Sequence, residues 1–257
     1  MTETPEYLRP FVLSPPAREP ERMGALDTYV PDGEGPFPVV IVVHGGPMPP
    51  GVVETPRDWP LFRGYGALLA SRGLLTVVPG YQLPIAPGPD GYVLDYVAAA
   101  AQIAGAVTAA RADPRADADR VVLWFFSGGS MLAGDWLRDP APWLRGIALN
   151  YPVVTPLPGM VAGPGFADPA VAVEHAGGTP ILLTRVGREH PGFVAGVDTF
   201  LANAAAAGVA VEIIEVPDGH HSFDIVDHTD ESRAAVRRAM DWVCMSTSST
   251  GNHLNVE

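Results

Sequence analysis

The sequence has little cysteine and little charge, and each shortage excludes a class of protein. The 257 residues include a single cysteine, Cys244, so no disulfide within the chain can support the fold. Charged side chains make up 18% of the residues and hydrophobic ones 47%, which excludes a largely disordered chain and allows a substantial core. Cys244 ends an apolar helical stretch, so we expect it to be a packed core residue.

The sequence also lacks long apolar runs and an excess of positive charge. Its apolar runs, such as 39–43 and 121–126, are strand-sized and far shorter than a membrane span. The first ten residues show no basic region followed by an apolar one, so we expect no signal peptide and a cytoplasmic location. The formal net charge of -13 disfavours nucleic acid and membrane surfaces as partners. A small-molecule partner is expected, and a homodimer stays open.

Buried strands and helices alternate along the chain. Strands are predicted at 25–30 (at an edge), 38–44, 74–78, 120–126, 146–149, 180–186 and 209–216, and helices at 61–72, 92–111, 129–137, 194–207 and 232–245. This alternation predicts βαβ units, and hence an α/β fold whose mainly parallel central sheet carries helices on both faces. We expect one domain over 1–245 and a disordered tail over 246–257. The Pro- and Gly-rich segment 152–169 is long enough to form a small cap.

A serine follows the predicted strand 120–126 and is itself followed by two glycines and a helix. This strand–serine–helix context is typical of a nucleophile elbow, in which a sharp turn lifts the hydroxyl above the sheet. Gly129 satisfies the second small position of the pattern small-x-Ser-x-small, whereas Phe125 occupies the first. Ser127 is therefore the candidate nucleophile, and the alternative is a serine that caps an ordinary helix.

The run His44-Gly45-Gly46-Pro47 directly follows the predicted strand 38–44. Glycines let the backbone approach a ligand closely, and acyl transfer needs N–H donors for the developing oxyanion. Pro47 has no N–H group, so the donors are expected from Gly45 or Gly46, with Gly128 supplying the other. His44 and Pro47 flank these glycines and are expected to contact the substrate. The alternative is a plain turn at the end of a strand.

A histidine pair, His220-His221, follows the last predicted strand, where a general base could reach Ser127. A metal site is disfavoured because no nearby set of Cys or carboxylate residues shows ligand spacing. The acid that orients the base should follow the strand before it, and Glu189 is the first acid there, with Asp198 further on. The order Ser127, Glu189, His221 is the order that the strand–serine–helix elbow predicts.

At these residues the chain resembles the α/β-hydrolase superfamily, and it looks most like the dienelactone-hydrolase and esterase/lipase-like branches. The resemblance covers about residues 23–245. It rests on segments 23–27, 44–47, 119–121, 127–129 and 219–224. In relatives the catalytic histidine is followed by one residue and then Phe, which selects His221 over His220. The chain departs from dienelactone hydrolases in having serine rather than cysteine as the candidate nucleophile.

The resemblance implies an α/β-hydrolase fold with a small cap or none, and a serine hydrolase that cleaves an ester or related acyl bond without a cofactor or metal. Ser127, His221 and Glu189 would form the triad. Two departures from the family pattern leave an alternative function open. Phe125 stands where relatives usually have Gly, and Glu189 where they more often have Asp. The rival is the same fold used for acyl transfer, lyase or cyclase chemistry, or for binding alone.

Overall fold

Eight strands form one central sheet in the computed structural model of the protein, which describes residues 5–48, 52, 54–88 and 91–248. The strands of the described chain are β1 (Glu21–Met23), β2 (Leu26–Tyr29), β3 (Phe37–Val43), β4 (Leu75–Pro79), β5 (Ile85–Gly88), β6 (Gly91–Leu94), β7 (Ala116–Phe126), β8 (Leu144–Asn150), β9 (Met160–Ala162), β10 (Ile181–Arg188) and β11 (Val211–His220). The central sheet has the order β1-β2-β4-β3-β7-β8-β10-β11. The six neighbouring strands β4, β3, β7, β8, β10 and β11 run parallel, and β2 is antiparallel to both of its neighbours, β1 and β4.

Helices cover both faces of this sheet. They are α1 (Pro60–Ser71), α2 (Tyr96–Arg111), α3 (Gly134–Arg138), α4 (Pro169–Ala172), α5 (Pro191–Ala206), α6 (Phe223–Val226) and α7 (Asp230–Ser246). One apolar layer contains the buried sides of α2 and α5, and the other contains those of α1 and α7. Successive side chains of a strand point to opposite faces, so both layers can be filled from one strand. The α/β fold and its mainly parallel sheet are as predicted.

Three predicted elements differ from the structure in their place in the sheet, their first residue or their helix type. The predicted edge strand 25–30 lies one position inside the sheet, because β1 pairs with it from outside. All of β1 is exposed and two of its three residues are charged, so no apolar pattern marked it. Helix α2 begins at Tyr96 rather than at residue 92, because the Asp95 carboxylate caps it at Ala98 N. The predicted helix 129–137 starts as a 3-10 helix, Ser127–Ala133, and becomes α-helical only in α3.

The Pro- and Gly-rich segment 152–169 joins a small second sheet instead of covering the serine. Its strand β9 pairs in parallel with β6, which pairs with β5. Within the described chain, no residue of 153–169 lines the cleft above Ser127. Of the tail, residues 249–257 lie outside the described residues. No helix in the described ranges has the length and apolar character needed to cross a membrane.

The N-terminal segment docks on elements from the last part of the chain. Val12 N–H donates to the carbonyl of Asp224 at 2.8 Å. Phe11 is buried against α1 at Gly64, where any side chain would clash with its ring. The preceding 3-10 turn, Glu6–Leu8, supplies Glu6 and Tyr7 to the cleft that also contains Ser127 and His221. Residues 6 and 7 therefore lie where the predicted site residues gather.

Candidate active site

Ser127 stands immediately after β7, and its backbone is left-handed with φ of 49°. A non-glycine residue in this region is strained and is held there by its surroundings. The surroundings are the loop after β3. A side chain on Gly128 would overlap the carbonyl of Gly46, and one on Gly129 would overlap the carbonyl of His44. Gly128 and Gly129 are thus needed because two stretches of backbone pack in direct contact.

Phe125 does not enter the cleft. Its side chain is fully buried in the same apolar layer as Leu123 and as Ile103 of α2, whereas Trp124 and Phe126 point into the opposite layer. This is the placement expected from the alternation of side chains along a strand. The bulky residue is accommodated by the α2 layer while Ser127 keeps its strained turn.

His221 reaches Ser127 from the end of β11. Its Nε2 lies 2.6 Å from the Ser127 Oγ, across 94 residues of sequence. Tyr151 and Phe193 pack on the imidazole from two sides, with ring centroids 5.0 Å and 5.1 Å away. His220 points elsewhere, because its backbone N–H and its Nδ1 both pair with the Asp227 carboxylate. Only the second histidine of the pair therefore meets the serine.

Glu189 meets the other nitrogen of the same ring. Its Oε2 lies 2.8 Å from His221 Nδ1, and its Oε1 accepts the backbone N–H of His190 at 2.7 Å. The Glu189 side chain is only 7% exposed, so little water competes for it. Asp198, the other acid considered after β10, lies 4.0 Å from Arg185 on the surface. The structure thus brings Ser127, His221 and Glu189 into one hydrogen-bonded row.

The loop after β3 presents free backbone donors beside Ser127. Within the described chain, the N–H groups of Gly45 and Gly46 donate to no other group. His44 turns away from the serine: its ring is buried, stacks on Tyr81 at 4.2 Å and donates from Nδ1 to the Gly45 carbonyl at 2.7 Å. Burial lowers the pKa of His44 to about 4, so its ring is neutral. His44 therefore supports the loop through its contacts with Gly45 and Tyr81, whereas Pro47 lines the cleft itself.

The cleft above Ser127 has a volume of about 390 Å³ and is mainly apolar. Its described lining residues are Glu6, Tyr7, Gly45, Gly46, Pro47, Met48, Trp59, Leu61, Phe62, Phe126, Ser127, Tyr151, His221, Ser222 and Ile225. No arginine or lysine occurs among these described residues. A second cavity of about 400 Å³ lies on the other side of Glu189 and does not include Ser127 or His221. No three His, Cys, Asp or Glu side chains of the described ranges are grouped to hold a metal ion.

Sequence reasoning missed three contributors to this region. Tyr7 lies before the first predicted strand, and its ring packs on Trp59 with centroids 4.8 Å apart. Tyr151 follows β8 and packs edge-on against His221. Asp224 is fully buried behind the histidine loop. Tyr151 and Asp224 follow predicted strands, and this position in the sequence could have marked them as site residues. Nothing in the sequence around Tyr7 could have done so.

The fold defined by this sheet and these crossovers is the α/β-hydrolase fold. No protein-family model matches the sequence, and no curated protein matches it by sequence. Solved structures do match. A candidate dienelactone hydrolase of Klebsiella pneumoniae is 19% identical with a TM-score of 0.63, over 85% of this chain and 91% of that one. Esterase Est22 is 18% identical with a TM-score of 0.64, over 87% and 75%. Esterase 2 of Thermogutta terrifontis, bound to butyrate, is 15% identical with a TM-score of 0.60, over 84% and 86%.

Proposed function

We propose that the protein is a serine hydrolase that cleaves carboxylic esters through an acyl-enzyme. The single observation that carries this proposal is the row of hydrogen bonds from Ser127 Oγ through the His221 ring to Glu189, at 2.6 Å and 2.8 Å. Such a row is what a weak hydroxyl nucleophile needs: a base within reach and a carboxylate that fixes the base's tautomer. The esterases among the structural neighbours support the same class of chemistry.

In the proposed reaction, Ser127 Oγ attacks the ester carbonyl carbon while His221 Nε2 takes the hydroxyl proton. Glu189 holds the proton on Nδ1 and stabilises the imidazolium. The C=O electron pair moves to the oxygen. This oxyanion accepts hydrogen bonds from the N–H groups of Gly128 and of Gly45 or Gly46. One such donor contributes about 3–4 kcal/mol in other enzymes. The oxyanion then collapses, the C–O bond to the alcohol breaks, and the alcohol leaves with the proton from Nε2.

Water completes the cycle by the same route. It gives a proton to His221, adds to the acyl carbon, and the ester bond to Ser127 breaks as the serine regains its proton. These steps need only groups of this chain, the ester and water. Atoms and charges balance, because the overall reaction adds one water across one ester bond.

The cleft favours an uncharged ester of small to medium size. Its walls are aromatic and aliphatic, so burial of an apolar acyl or alcohol group stabilises the complex. A carboxylate on the substrate would find no cationic side chain among the described lining residues, and the formal net charge of the chain is -13. A lactone bearing a free carboxylate is therefore a poor candidate, and a neutral ester is the better one.

The rival proposal is a fold that has lost hydrolysis, suggested by Phe125 in the elbow. Two observations weigh against it. Phe125 is packed in the α2 layer, away from the cleft, and Ser127 keeps the left-handed backbone that exposes its hydroxyl. The neighbouring esterase of Thermogutta terrifontis was phosphorylated by paraoxon, which shows how an active member of this fold can be detected.

The test combines an organophosphorus probe with a panel of p-nitrophenyl esters of rising chain length. The wild-type protein should be labelled at Ser127 and should hydrolyse the shorter esters. Ser127→Ala and His221→Ala should lose several orders of magnitude in kcat. His220→Ala is the matched control, since it removes the neighbouring imidazole, and Ser130→Ala removes a buried hydroxyl of the same turn. Equal losses for His220→Ala, or labelling that survives Ser127→Ala, would refute the assignment.

A further inference from the structure

A second carboxylate lies behind His221 and has no role in the proposed chemistry. Asp224 stands three residues after His221, in the short helix α6, and its side chain is fully buried. Between the two lies Ser222 with φ of 63°, a left-handed residue that turns the chain back toward the core. The histidine and the aspartate thus share one tight loop, which makes the position of either dependent on the other.

Three neutral groups donate to the carboxylate of Asp224, and one of them is shared between both of its oxygens. Tyr151 OH donates to Oδ1 at 2.9 Å and to Oδ2 at 3.1 Å, Tyr65 OH to Oδ2 at 3.0 Å, and Asn150 Nδ2 to Oδ2 at 3.2 Å. No arginine or lysine of the described chain takes part. Tyr65, Tyr151 and His221 are the titratable groups that face it.

Tyr151 connects this carboxylate to the imidazole. Its hydroxyl is held by Asp224, and its ring packs edge-on against His221 at 64° with centroids 5.0 Å apart. Its own backbone is left-handed, with φ of 36°, and its N–H donates to the carbonyl of Thr184 in β10 at 3.0 Å. Two residues on, Val153 N–H donates to the carbonyl of Ser127 at 3.1 Å. Tyr151 is thus held by hydrogen bonds at its backbone N–H and at its hydroxyl, so its ring cannot easily rotate away from the histidine.

We propose that Asp224 is a positioning residue for His221: it fixes the plane of the imidazole through the hydroxyl of Tyr151, whose ring packs against it. Glu189 bonds the ring directly, whereas Asp224 acts at one remove, through Tyr151 and through the loop. This inference rests on the proposed serine hydrolase for its effect on rate, but the effect on His221 itself does not depend on any substrate.

The test compares Asp224→Asn with Asp27→Asn in the full chain. Asp27 is the matched control, because it is equally buried but pairs with Arg22 and Arg57 at the other side of the sheet. The NMR signals of the His221 ring at one fixed pH are the first readout, assigned from His221→Gln. Asp224→Asn should shift these signals, since the Tyr151 hydroxyl loses one of the two acceptor oxygens that hold it and its ring packs on the imidazole. Asp27→Asn should leave them unchanged.

The second readout is kcat and KM on a p-nitrophenyl ester. Asp224→Asn should lower kcat about tenfold or more with little change in KM, because a displaced base slows the chemical step. Unchanged ring signals or an unchanged kcat would overturn the proposal, as would equal changes in Asp27→Asn. If Asp224→Asn does not fold, Tyr151→Phe decides: a loss of about tenfold in kcat with little change in KM supports the proposal, and an unchanged kcat overturns it.

The two proposals fail in different ways. If the wild-type protein hydrolyses no ester and no probe labels Ser127, the proposed function fails. The NMR signals of the His221 ring still decide whether Asp224 acts on His221 in that case. If esters are hydrolysed and the ring signals show no difference, the serine hydrolase stands and the role of Asp224 falls.

Discussion

The carbonyl oxygen of Gly46 occupies the space that a side chain on Gly128 would need. The two residues come from loops after β3 and β7, 82 positions apart, and they meet because the carboxyl ends of these parallel neighbours lie at one edge of the sheet. This contact places the backbone of the loop after β3 directly against the turn that carries Ser127, where the proposed N–H donors of Gly46 and Gly128 belong.

Gly128→Ala is therefore expected to damage the site more than the fold. The new methyl group must push the Gly46 carbonyl and its N–H donors away from Ser127, so kcat should fall by about 10²–10³, the range seen when one oxyanion donor is lost. Gly105→Ala in α2 is the control, since nothing lies within 4 Å of its added methyl group. That control should keep activity and gain up to about 1 kcal/mol in unfolding free energy. Ester kinetics and thermal melts measure both, and a fully active Gly128→Ala would contradict the assigned donors.

Phe125→Ala is expected to affect stability and not the chemistry. The side chain is fully buried in the α2 layer, so its removal should leave a cavity and cost about 3–5 kcal/mol of unfolding free energy. The rate per labelled serine should stay close to that of the wild type. Chemical denaturation and active-site titration with the probe separate the two effects. A large gain in rate with little loss of stability would instead identify the native protein as an impaired hydrolase.

Tyr7→Ala is expected to change which esters are hydrolysed. Tyr7 forms a wall of the cleft by packing on Trp59, so its loss should reduce kcat/KM for bulky apolar esters by about tenfold and affect acetyl esters much less. Tyr92→Ala serves as the control, because Tyr92 is 61% exposed on the small second sheet. Measuring the p-nitrophenyl series for both variants tests this. A uniform loss over all chain lengths would mean that Tyr7 acts on the fold and not on selection.

The buried Asp224 should make stability depend on pH. Burial raises its pKa from 3.8 to about 7, so the folded protein holds this proton between those values while the unfolded chain releases it. The contribution of the group to stability is therefore fullest below about pH 4 and is lost as pH rises to about 7, by up to about 4 kcal/mol. Asp224→Asn removes this term. Denaturation at pH 5 and pH 8 should show the variant gaining on the wild type at the higher pH, and an unchanged difference would contradict the prediction.

The sequence predicted the alternation of strands and helices because buried parallel strands are continuous apolar runs, as at 39–43 and 121–126. It also predicted which residues follow those strands, which is why Ser127, Glu189 and His221 could be named. It did not reveal β1, whose exposed polar residues carry no pattern, or the docking of Tyr7. Contacts between distant segments with no periodicity of their own, such as Val12 with Asp224, leave no local signal in the residues themselves.

The hydrogen bond between Val12 and Asp224 has a consequence for how the cleft is assembled. The segment that forms one wall is synthesised well before its partner in α6. Until α6 has been made, Val12 lacks the carbonyl of Asp224 to which it donates, so this wall takes its final position only after α6 has formed. A protein fused ahead of residue 5 would then sit beside the mouth of the cleft, while one fused after α7 would not interrupt this late docking step.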